Sequence, residues 1–335
     1  MSERTKIYLR QNNNLKLPLV IVNPHSAGGN TKARWYGIAS DLRAHFGPFQ
    51  VAFTKRAGDG IELAKNAANS GRSFVIACGG DGTVNEVLNG IMLAENADTE
   101  LGVIPSGTGG DFRRTIGMPT ESREAARALR EGTTTEIDVG KVEFATKHST
   151  IETRYFVNVS SFGLSAEINL RVSANSFFKW LPLGSTIRGK AKFAFSTIQE
   201  VIDINPVLVQ LKVDGDEWKS LETLNFCVCN SRFFGGGMKI APDAKITDGE
   251  FDIVNIGDIN TARIFSNGYK LYNGTHLNLP EVKSLLAKTL EIKPFETDAK
   301  IRIEMDGEVP GYLPAKYEIL PKALKLRIPK RVNKR

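Results

Sequence analysis

Residues 74–92 have the sequence FVIACGGDGTVNEVLNGIM, in which a short apolar run meets a glycine-rich loop and then a helix pattern. Continuous apolar runs of this length are typical of strands buried in parallel sheets. The helix pattern comes from apolar residues at the helical period, namely Val84, Val87, Leu88, Ile91 and Met92. The stretch therefore predicts a strand, a tight turn and a helix, which is the repeating unit of a doubly wound sheet.

The same unit recurs on both sides of this stretch. Strand patterns cover residues 17–22, 51–53 and 101–104, and helix patterns follow near residues 35–46, 63–68 and 122–130. We therefore expect an α/β domain with a doubly wound parallel sheet over residues 1–137. Ligands of such sheets bind at the carboxyl ends of the strands.

The sequence pattern changes after residue 137, where short β-rich runs replace the alternation of strand and helix. Asp-Gly pairs at 214, 248 and 306 punctuate these runs and are typical of hairpin turns. We expect a mainly antiparallel β-sandwich domain over residues 138–319, with helical insertions near Lys190–Ile202 and Thr261–Tyr272. The basic end of the chain, residues 320–335, is expected to pack back onto the first domain.

The composition restricts the class of protein. The chain has 335 residues, 41% of them hydrophobic and 24% charged, which excludes a disordered chain. Three cysteines without framework spacing argue against a disulfide scaffold. The polar start, Met1 to Asn14, predicts no signal peptide, and no apolar run reaches the roughly 20 residues of a membrane span. We expect a cytoplasmic protein whose net charge of +7 favours anionic partners.

Glycine-rich loops follow three of the predicted strands, at residues 23–30, 79–83 and 105–111. Such loops bind phosphates because their backbone amides approach an anion closely and a helix N-terminus lies behind them. Neither a P-loop nor a dinucleotide fingerprint matches, because the Gly-Lys-Ser/Thr ending and the third glycine are missing. Asp81 inside the second loop either faces a cation such as Mg²⁺ or caps the following helix.

Five motifs in a fixed order resemble the diacylglycerol kinase catalytic-domain family, whose relatives include sphingosine and ceramide kinases. The resemblance spans residues 19–330, nearly the whole chain. The motifs are Asn23-Pro24-x-Ser26, the loop Gly79 to Glu86, Gly107-Thr108-x-x-Asp111-Phe112, Ile137 to Gly140 with Pro242 to Gly249, and Met305-Asp306-Gly307-Glu308. The resemblance implies a lipid kinase with ATP and Mg²⁺ in a cleft between the two domains.

The resemblance also implies roles for particular residues. Glu308 is the expected general base for a lipid hydroxyl, although Asp306-Gly307 by itself is also an ordinary hairpin turn. Asp81 belongs to the network that holds the catalytic Mg²⁺, and Gly107 and Asp111 are candidates for the substrate loop. The implied ATP contacts are Asn23, Pro24, His25, Ser26, Ala27, Thr54, Gly79, Gly80, Asp81, Gly82, Thr83, Val84, Asn85 and Thr108.

A second, structural Mg²⁺ site is implied in the β-rich domain. Asp248 matches its carboxylate, while Lys245 and Glu250 match positions that contribute mainly backbone carbonyls, and Asp138 is a further candidate. From the sequence alone, Asp248-Gly249 is equally well a turn. Two positions depart from the family pattern, since Ala27 stands at a usual glycine and Gly110 at a usual asparagine.

A stretch without acidic residues, 168–199, combines bases with large apolar side chains. Its bases are Arg171, Lys179, Arg188, Lys190 and Lys192, and its apolar members are Phe177, Phe178, Trp180, Leu181, Leu183, Phe193 and Phe195. This pattern fits peripheral binding to an anionic membrane, or an ordinary amphipathic helix with a solvated basic face. A second basic stretch without acids follows Glu318. No nucleic-acid-binding module accompanies either stretch, and a homodimer is compatible with the sequence.

The leading hypothesis is phosphorylation of diacylglycerol to phosphatidic acid. Alternatives are another lipid alcohol (a sphingoid base, ceramide or phosphatidylglycerol), an enzyme like NAD kinase, and a catalytically silent sensor of lipid or nucleotide. The late Asp-Gly-Glu motif and the long β-rich half argue against NAD kinase.

Overall fold

The structure, a computed structural model, describes residues 17–95, 98–107, 109–174 and 205–330. The chain divides into two compact units. Unit 1 comprises Met1–Ile137 together with Lys322–Arg335, and unit 2 comprises Asp138–Pro321. The end of the chain therefore belongs to the same unit as its beginning.

Unit 1 is built from strands and helices that alternate along the chain. The strands are β1 (Leu19–Val22), β2 (Gln50–Phe53), β3 (Phe74–Gly79) and β4 (Glu100–Pro105), joined by the end of the last strand of the chain, β15 (Glu308–Ile328). The helices are α1 (Asn30–His45), α2 (Asp59–Asn69), α3 (Asp81–Met92), α4 (Asp111–Ile116) and α5 (Ser122–Glu131).

The sheet of unit 1 has the strand order β15-β4-β3-β1-β2, and all of its pairings are parallel. Every residue of β3 is buried, as its continuous apolar sequence predicts. Helix α3 buries Val84, Val87, Leu88 and Ile91. The predicted doubly wound α/β architecture is confirmed, and α4 is an additional helix that the apolar pattern did not predict.

Unit 2 is mainly β-structure. Its strands are β5 (Thr133–Ala145), which begins in unit 1, and β6 (Ile151–Phe156), β7 (Val159–Gly163), β8 (Val207–Val213), β9 (Lys219–Thr223), β10 (Asn225–Cys229), β11 (Phe251–Ile256), β12 (Val282–Ala287), β13 (Thr289–Pro294), β14 (Arg302–Met305) and most of β15. Its helices are α6 (Leu164–Ala174), α7 (Thr261–Asn267) and α8 (Tyr269–Asn273).

Two paths of paired strands share β15. One path is β12-β11-β10-β7-β14-β15, and the other is β6-β5-β15-β13-β8-β9. A single apolar cluster takes side chains from both paths, with Phe156 of β6 stacked on Phe251 of β11 at 5.7 Å between ring centres. The predicted antiparallel β-sandwich is therefore confirmed.

The three Asp-Gly pairs, predicted as hairpin turns, differ in the connections that they form. Asp214-Gly215 lies between the antiparallel strands β8 and β9, and Asp306-Gly307 lies between β14 and β15, so both are hairpin turns. Asp248-Gly249 is a turn but not a tight hairpin, because the connection between the antiparallel strands β10 and β11 spans residues 230–250 and this pair lies near its end.

The structure also differs from the sequence pattern at residues 155–159 and at one of the two helical insertions. One of the β-rich runs, residues 155–159, is divided between β6 and β7, where the carboxylate of Asp306 accepts the backbone N–H groups of Val157, Asn158 and Val159. The insertion at 261–272 forms the two helices α7 and α8. The other insertion, at 190–202, lies outside the described residues. None of the helices that the structure describes has the length and apolar character of a membrane span.

Candidate active site

The loops that follow β1, β3 and β4 are joined at the carboxyl edge of the unit 1 sheet. The backbone N–H of Asn23 donates to the carbonyl of Cys78 at 3.1 Å. The backbone N–H of Ser106 donates to the carbonyl of Gly79 at 2.8 Å. The three glycine-rich loops predicted to bind phosphate are therefore brought together.

A cluster of hydroxyl groups locks the first loop to the third. The hydroxyls of Ser26 and Thr31 lie 2.6 Å apart, and both donate to the carbonyl of Ser106, at 3.1 and 2.8 Å. The hydroxyls of Thr31 and Ser106 also lie 2.6 Å apart. Sequence analysis assigned Ser26 to ATP but missed Thr31 and Ser106, because neither residue belongs to a recognised motif. Ser26 thus has a structural role in shaping the loop.

Close approach of two backbones explains a glycine in the third loop. A Cβ at Gly107 would overlap the Cα of Gly80 in the second loop. Only glycine, which has no Cβ, allows this contact. The second and third loops therefore meet through their backbones beside the N-terminus of α3. The predicted ATP contact Thr108, next to Gly107, lies outside the described residues.

Asp81 caps a helix, although not the helix that the sequence indicates. Its two carboxylate oxygens accept the backbone N–H groups of Asp111 and Phe112, each at 3.1 Å, at the start of α4. The carboxylate of Asp111 in turn accepts a hydrogen bond from Arg114 at 2.8 Å. The carboxylate of Asp81 therefore lies at the backbone of Asp111, and each of the two carboxylates has a hydrogen-bond partner in α4.

The two departures from the family pattern both lie in left-handed backbone. Ala27 has φ 54° and ψ 35°, a conformation that costs alanine roughly 1–2 kcal/mol relative to the right-handed region. Gly110 has φ 64° and ψ 44°, which glycine adopts freely and asparagine tolerates. Both loops thus keep a left-handed conformation at these positions.

The remaining predicted ATP residues of unit 1 differ in exposure. His25 is exposed, and its N–H donates to the side chain of Asn23 at 2.9 Å. Thr54 is buried at the end of β2, with its N–H donating to the carbonyl of Val22 at 2.9 Å. Val84 lies in the core, and the side chain of Asn85 accepts a hydrogen bond from Asn89 at 3.1 Å. Of these residues, Val84 has no side-chain atoms available to a nucleotide.

Glu86 anchors the loop that follows β2, a role that sequence analysis did not assign. Its carboxylate accepts the backbone N–H groups of Gly58 and Gly60, at 2.8 and 2.9 Å, at the start of α2. Asp59 accepts the N–H groups of Lys55 and Arg56 in the same loop. The bond from Lys55 is the main cause that lowers the pKa of Asp59 below its ordinary value.

In unit 2, Glu308 lies at the start of β15, directly after the tight turn Asp306-Gly307. The turn has positive φ at both residues, 47° and 94°, as a two-residue hairpin turn requires. The Glu308 side chain is 47% exposed, so its carboxylate is accessible to a substrate. Its neighbour across the strands is Arg154 on β6, at 3.8 Å.

Two buried carboxylates hold this turn rigidly. Asp306 accepts three backbone N–H groups from residues 157–159 at 3.1 to 3.3 Å. Glu304 accepts the N–H of Gly307 and the hydroxyl of Ser161, both at 2.6 Å. Hydrogen bonds to charged groups are the strong ones, so the backbone that carries Glu308 is well fixed.

The predicted structural metal residues lie together before and at the start of β11. Asp138 accepts the N–H of Gly249 at 2.7 Å and so fixes the turn that carries Asp248. Burial, together with the carboxylates of Asp248 and Asp243, raises the pKa of Asp252 to about 6. The positive charge of Lys245 lowers the pKa of Asp252 and offsets part of this increase. Excess negative charge at this turn is compatible with a bound cation.

The donor groups suit magnesium bound with water and phosphate rather than a closed protein site. Within the residues that the structure describes, no three His, Cys, Asp or Glu side chains converge to hold a metal ion. Mg²⁺ is usually held by one or two carboxylates plus substrate phosphates and water. The carboxylates of Asp81 and Asp111, which both bond to groups of α4, are the candidates for that role.

Comparison with known proteins identifies the same two parts of the chain. Residues 18–142 match the diacylglycerol kinase catalytic domain. Residues 158–328 match the YegS C-terminal NAD kinase beta sandwich-like domain. The diacylglycerol kinase of Bacillus subtilis is 30% identical over 278 residues, which cover 83% of this chain and 84% of that protein. The diacylglycerol kinase of Staphylococcus carnosus is also 30% identical, over 84% of each chain.

Solved structures agree with this result. The crystal structure of a proposed diacylglycerol kinase from Bacillus anthracis strain Sterne has a TM-score of 0.72 and 26% identity, and the match covers 94% of this chain and 98% of that one. A diacylglycerol kinase structure from the same organism, at 24% identity and a TM-score of 0.68, shows the shared fold. The α/β unit with its joined glycine-rich loops, the β-sandwich and the relatives at 30% identity all lead to one assignment: the chain belongs to the diacylglycerol kinase family of phosphotransferases.

Proposed function

We propose that this protein transfers the γ-phosphoryl group of ATP to the free hydroxyl of diacylglycerol, with Mg²⁺, and releases phosphatidic acid and ADP. The observation that carries the proposal is Glu308, an accessible carboxylate on a turn held by Glu304 and Asp306. Phosphorylation of a lipid hydroxyl needs a group that accepts the hydroxyl proton. The Glu308 carboxylate is such a group, and the fixed backbone holds it in position.

In the proposed reaction, this chain provides the group that accepts the proton of the lipid hydroxyl. The lipid oxygen forms a bond to the γ-phosphorus, the bond from that phosphorus to the β-γ bridging oxygen breaks, and ADP leaves. Glu308 takes the hydroxyl proton as the oxygen attacks. Such transfers need positioning and charge stabilisation and no covalent intermediate on the protein.

The triphosphate is proposed to bind at the joined loops of unit 1. The N-terminus of α3 and the backbone N–H groups of residues 23–27 and 79–83 provide the positive end of a helix and amide donors. When bound, Mg²⁺ neutralises phosphate oxygens. Asp81 and Asp111 are the residues proposed to hold that ion, and Lys245, Asp248 and Glu250 are proposed for a structural one.

Lipid access is proposed to occur at an anionic membrane surface, reached from the aqueous side. The basic and aromatic stretch 168–199 carries this proposal, and residues 175–199 of it lie outside the described residues. Part of the basic end of the chain has another role, because Lys325 pairs with Asp98 and Arg327 pairs with Glu100 at 2.5 Å. Membrane contact is therefore assigned to the 168–199 stretch.

An acceptor panel tests the proposal. The protein is incubated with labelled ATP and each of diacylglycerol, sphingosine, ceramide, phosphatidylglycerol, a polyprenol and NAD, with Mg²⁺ or with a chelator. We expect transfer to diacylglycerol that the chelator abolishes. Because residues 158–328 match a NAD kinase-like domain, NAD is the decisive alternative acceptor. Transfer to NAD alone would refute the lipid assignment, and transfer to none of them would favour a sensor.

A further inference from the structure

Arg154 lies beside the proposed base and has no role in the function described so far. It projects from β6, and its Nη1 is 3.8 Å from Oε2 of Glu308. Its Nη2 is 3.9 Å from Oε2 of Glu152 on the same strand. The side chain is 31% exposed. A guanidinium thus stands between two carboxylates at the surface from which Glu308 is accessible.

The geometry differs from that of a structural ion pair. Charge-assisted hydrogen bonds between nitrogen and oxygen close to about 2.7–2.9 Å. Lys141 on the neighbouring strand β5 forms such a bond with Glu143 at 2.8 Å. Both contacts from Arg154 are about 1 Å longer, and exposed pairs of this kind contribute little to stability. The guanidinium is therefore held near Glu308 without a closed bidentate bond to either of these carboxylates.

The proposed reaction places a phosphoryl group at this point. The lipid oxygen that gives its proton to Glu308 is the atom that bonds to phosphorus, so the non-bridging oxygens of the transferred group come within a few ångströms of the Glu308 carboxylate. As Glu308 accepts the proton it loses its negative charge, while negative charge on the transferred group remains. A guanidinium at 3.8 Å from Glu308 can then direct that side of its fork to the phosphoryl oxygens, while Glu152 remains beside the other nitrogen.

We propose that Arg154 is a catalytic residue that binds the phosphoryl group during its transfer to the lipid and then holds the phosphate of the product. The proposal rests on the proposed function, since it takes Glu308 as the base. The planar fork of arginine matches two phosphate oxygens at once, which the single ammonium of lysine does not.

Turnover of the variants Arg154→Gln and Arg154→Lys is measured on a soluble short-chain diacylglycerol, with Lys141→Gln as the matched control. Loss of one preorganised donor at a developing charge typically costs about 100-fold in kcat. We expect a fall of that size in Arg154→Gln, a smaller fall in Arg154→Lys, ATP KM values close to that of the unchanged protein, and turnover of Lys141→Gln within about twofold.

The pH profile and chemical rescue separate this role from indirect ones. If Arg154 only favoured the ionised form of Glu308, turnover of Arg154→Gln would recover at high pH, and that recovery would overturn the proposal. We expect the loss to persist at every pH. Added guanidinium should restore part of the turnover of Arg154→Ala, which a variant that is merely misfolded would not show.

Product binding provides a readout that does not depend on turnover. Calorimetry with short-chain phosphatidic acid should show binding about tenfold weaker in Arg154→Gln than in Lys141→Gln, corresponding to loss of one phosphate contact. Equal binding by the two variants would overturn the role of Arg154. A protein that binds this product but transfers phosphate to no lipid would instead contradict the proposed function, so the two failures are distinguishable.

Discussion

Glu308 is the residue on which the proposed chemistry depends, and its surroundings support that role. Its carboxylate is accessible, whereas the carboxylates of Glu304 and Asp306 in the same hairpin are buried and accept backbone N–H groups. Three acidic residues within five positions thus have different roles, and burial decides which of them is available to a substrate.

Replacing Glu308 by Gln should abolish transfer and preserve ATP binding. The amide keeps the size of the side chain but has no basic oxygen for the hydroxyl proton, so kcat should fall by roughly 10²–10⁴-fold. Initial rates and nucleotide binding by calorimetry measure the two effects. Glu318→Gln, on the same strand, is the control and should retain normal rates. Full activity of Glu308→Gln would remove this residue as the base.

Glu86 is a second residue whose role is visible in the structure. Its carboxylate binds two N–H groups at the start of α2, which have no partner within the helix. Glu86→Gln leaves only one carboxamide oxygen for both groups, so we expect the free energy of unfolding to fall by about 1–3 kcal/mol. The KM for ATP should rise, because the loop with Thr54 loses its anchor. Denaturant unfolding and initial rates measure these effects.

The control for Glu86→Gln is the exposed change Glu62→Gln, in the helix α2 that Glu86 anchors. It removes one negative charge near the start of α2 and leaves the bonds of Glu86 in place. Equal stability of the two variants would show that Glu86 does not anchor the helix.

At the scale of elements, local chemistry explains which strands and helices were predicted. The strand β3 and helix α3 have strong patterns, and the turn residues Asp306-Gly307 fix a hairpin. Helix α4 has only six residues, too few for an apolar period, and its start depends on Asp81 thirty positions earlier in the chain. No local pattern carries that information.

The strand β15 shows the opposite difficulty. β15 contains Pro310, Pro314 and Pro321, although proline has no N–H for a ladder. The structure leaves Pro314 and Pro321 exposed, while Leu313 and Ala315, on either side of Pro314, lie in the core. Pairing with distant strands, which sequence analysis does not see, overrides the local preference.

His276 makes the element after α8 sensitive to acid. Burial lowers the pKa of this histidine, and its Nε2 bonds to the carbonyl of Ile240 at 3.0 Å. A lowered pKa contributes stability that is present above the unfolded value of 6.5 and is lost as the pH falls. Denaturant unfolding at pH 7 and pH 5 should therefore show a smaller difference for His276→Gln than for the unchanged protein.

The exposed His148→Gln change serves as the control for this measurement. It should leave the difference between pH 7 and pH 5 as in the unchanged protein. An unchanged difference in His276→Gln would show that another group causes the acid sensitivity.

For the whole molecule, the distribution of charge is more informative than its sum. The two basic stretches hold 12 of the 44 Lys and Arg residues and no acid, so the rest of the chain is acidic overall, and part of the second stretch is neutralised by Asp98 and Glu100 of unit 1. The sequence predicted the family, the two architectures and the positions of the three glycine-rich loops. It could not show that Asp81 caps α4 or that Val84 lies in the core, since both depend on tertiary contacts.

Membrane binding should depend on the 168–199 stretch. The double change Lys179→Gln and Lys190→Gln should weaken binding to vesicles of anionic phospholipid by roughly 2 kcal/mol, since each base near such a surface contributes about 1 kcal/mol. Turnover of a soluble short-chain substrate should be unaffected. Co-sedimentation with vesicles at low and high salt measures the effect.

The matched control removes two exposed lysines elsewhere in unit 2, Lys219→Gln and Lys283→Gln. Because it lowers the net charge equally, any difference between the two double variants reports position. Equal vesicle binding by both would refute a docking role for the stretch.

The strand β15 also constrains how this protein is made. The chain from Lys322 completes the unit 1 sheet beside β4, and it leaves the ribosome after all of unit 2. N-terminal domains ordinarily fold first during synthesis. In this protein, Leu101 and Glu100 of β4 lack their partners Leu326 and Arg327 until the end of the chain has been made. A chain truncated before Lys322 would therefore lack the segment that pairs with β4, and unit 1 would be incomplete although only the last residues to be synthesised are missing.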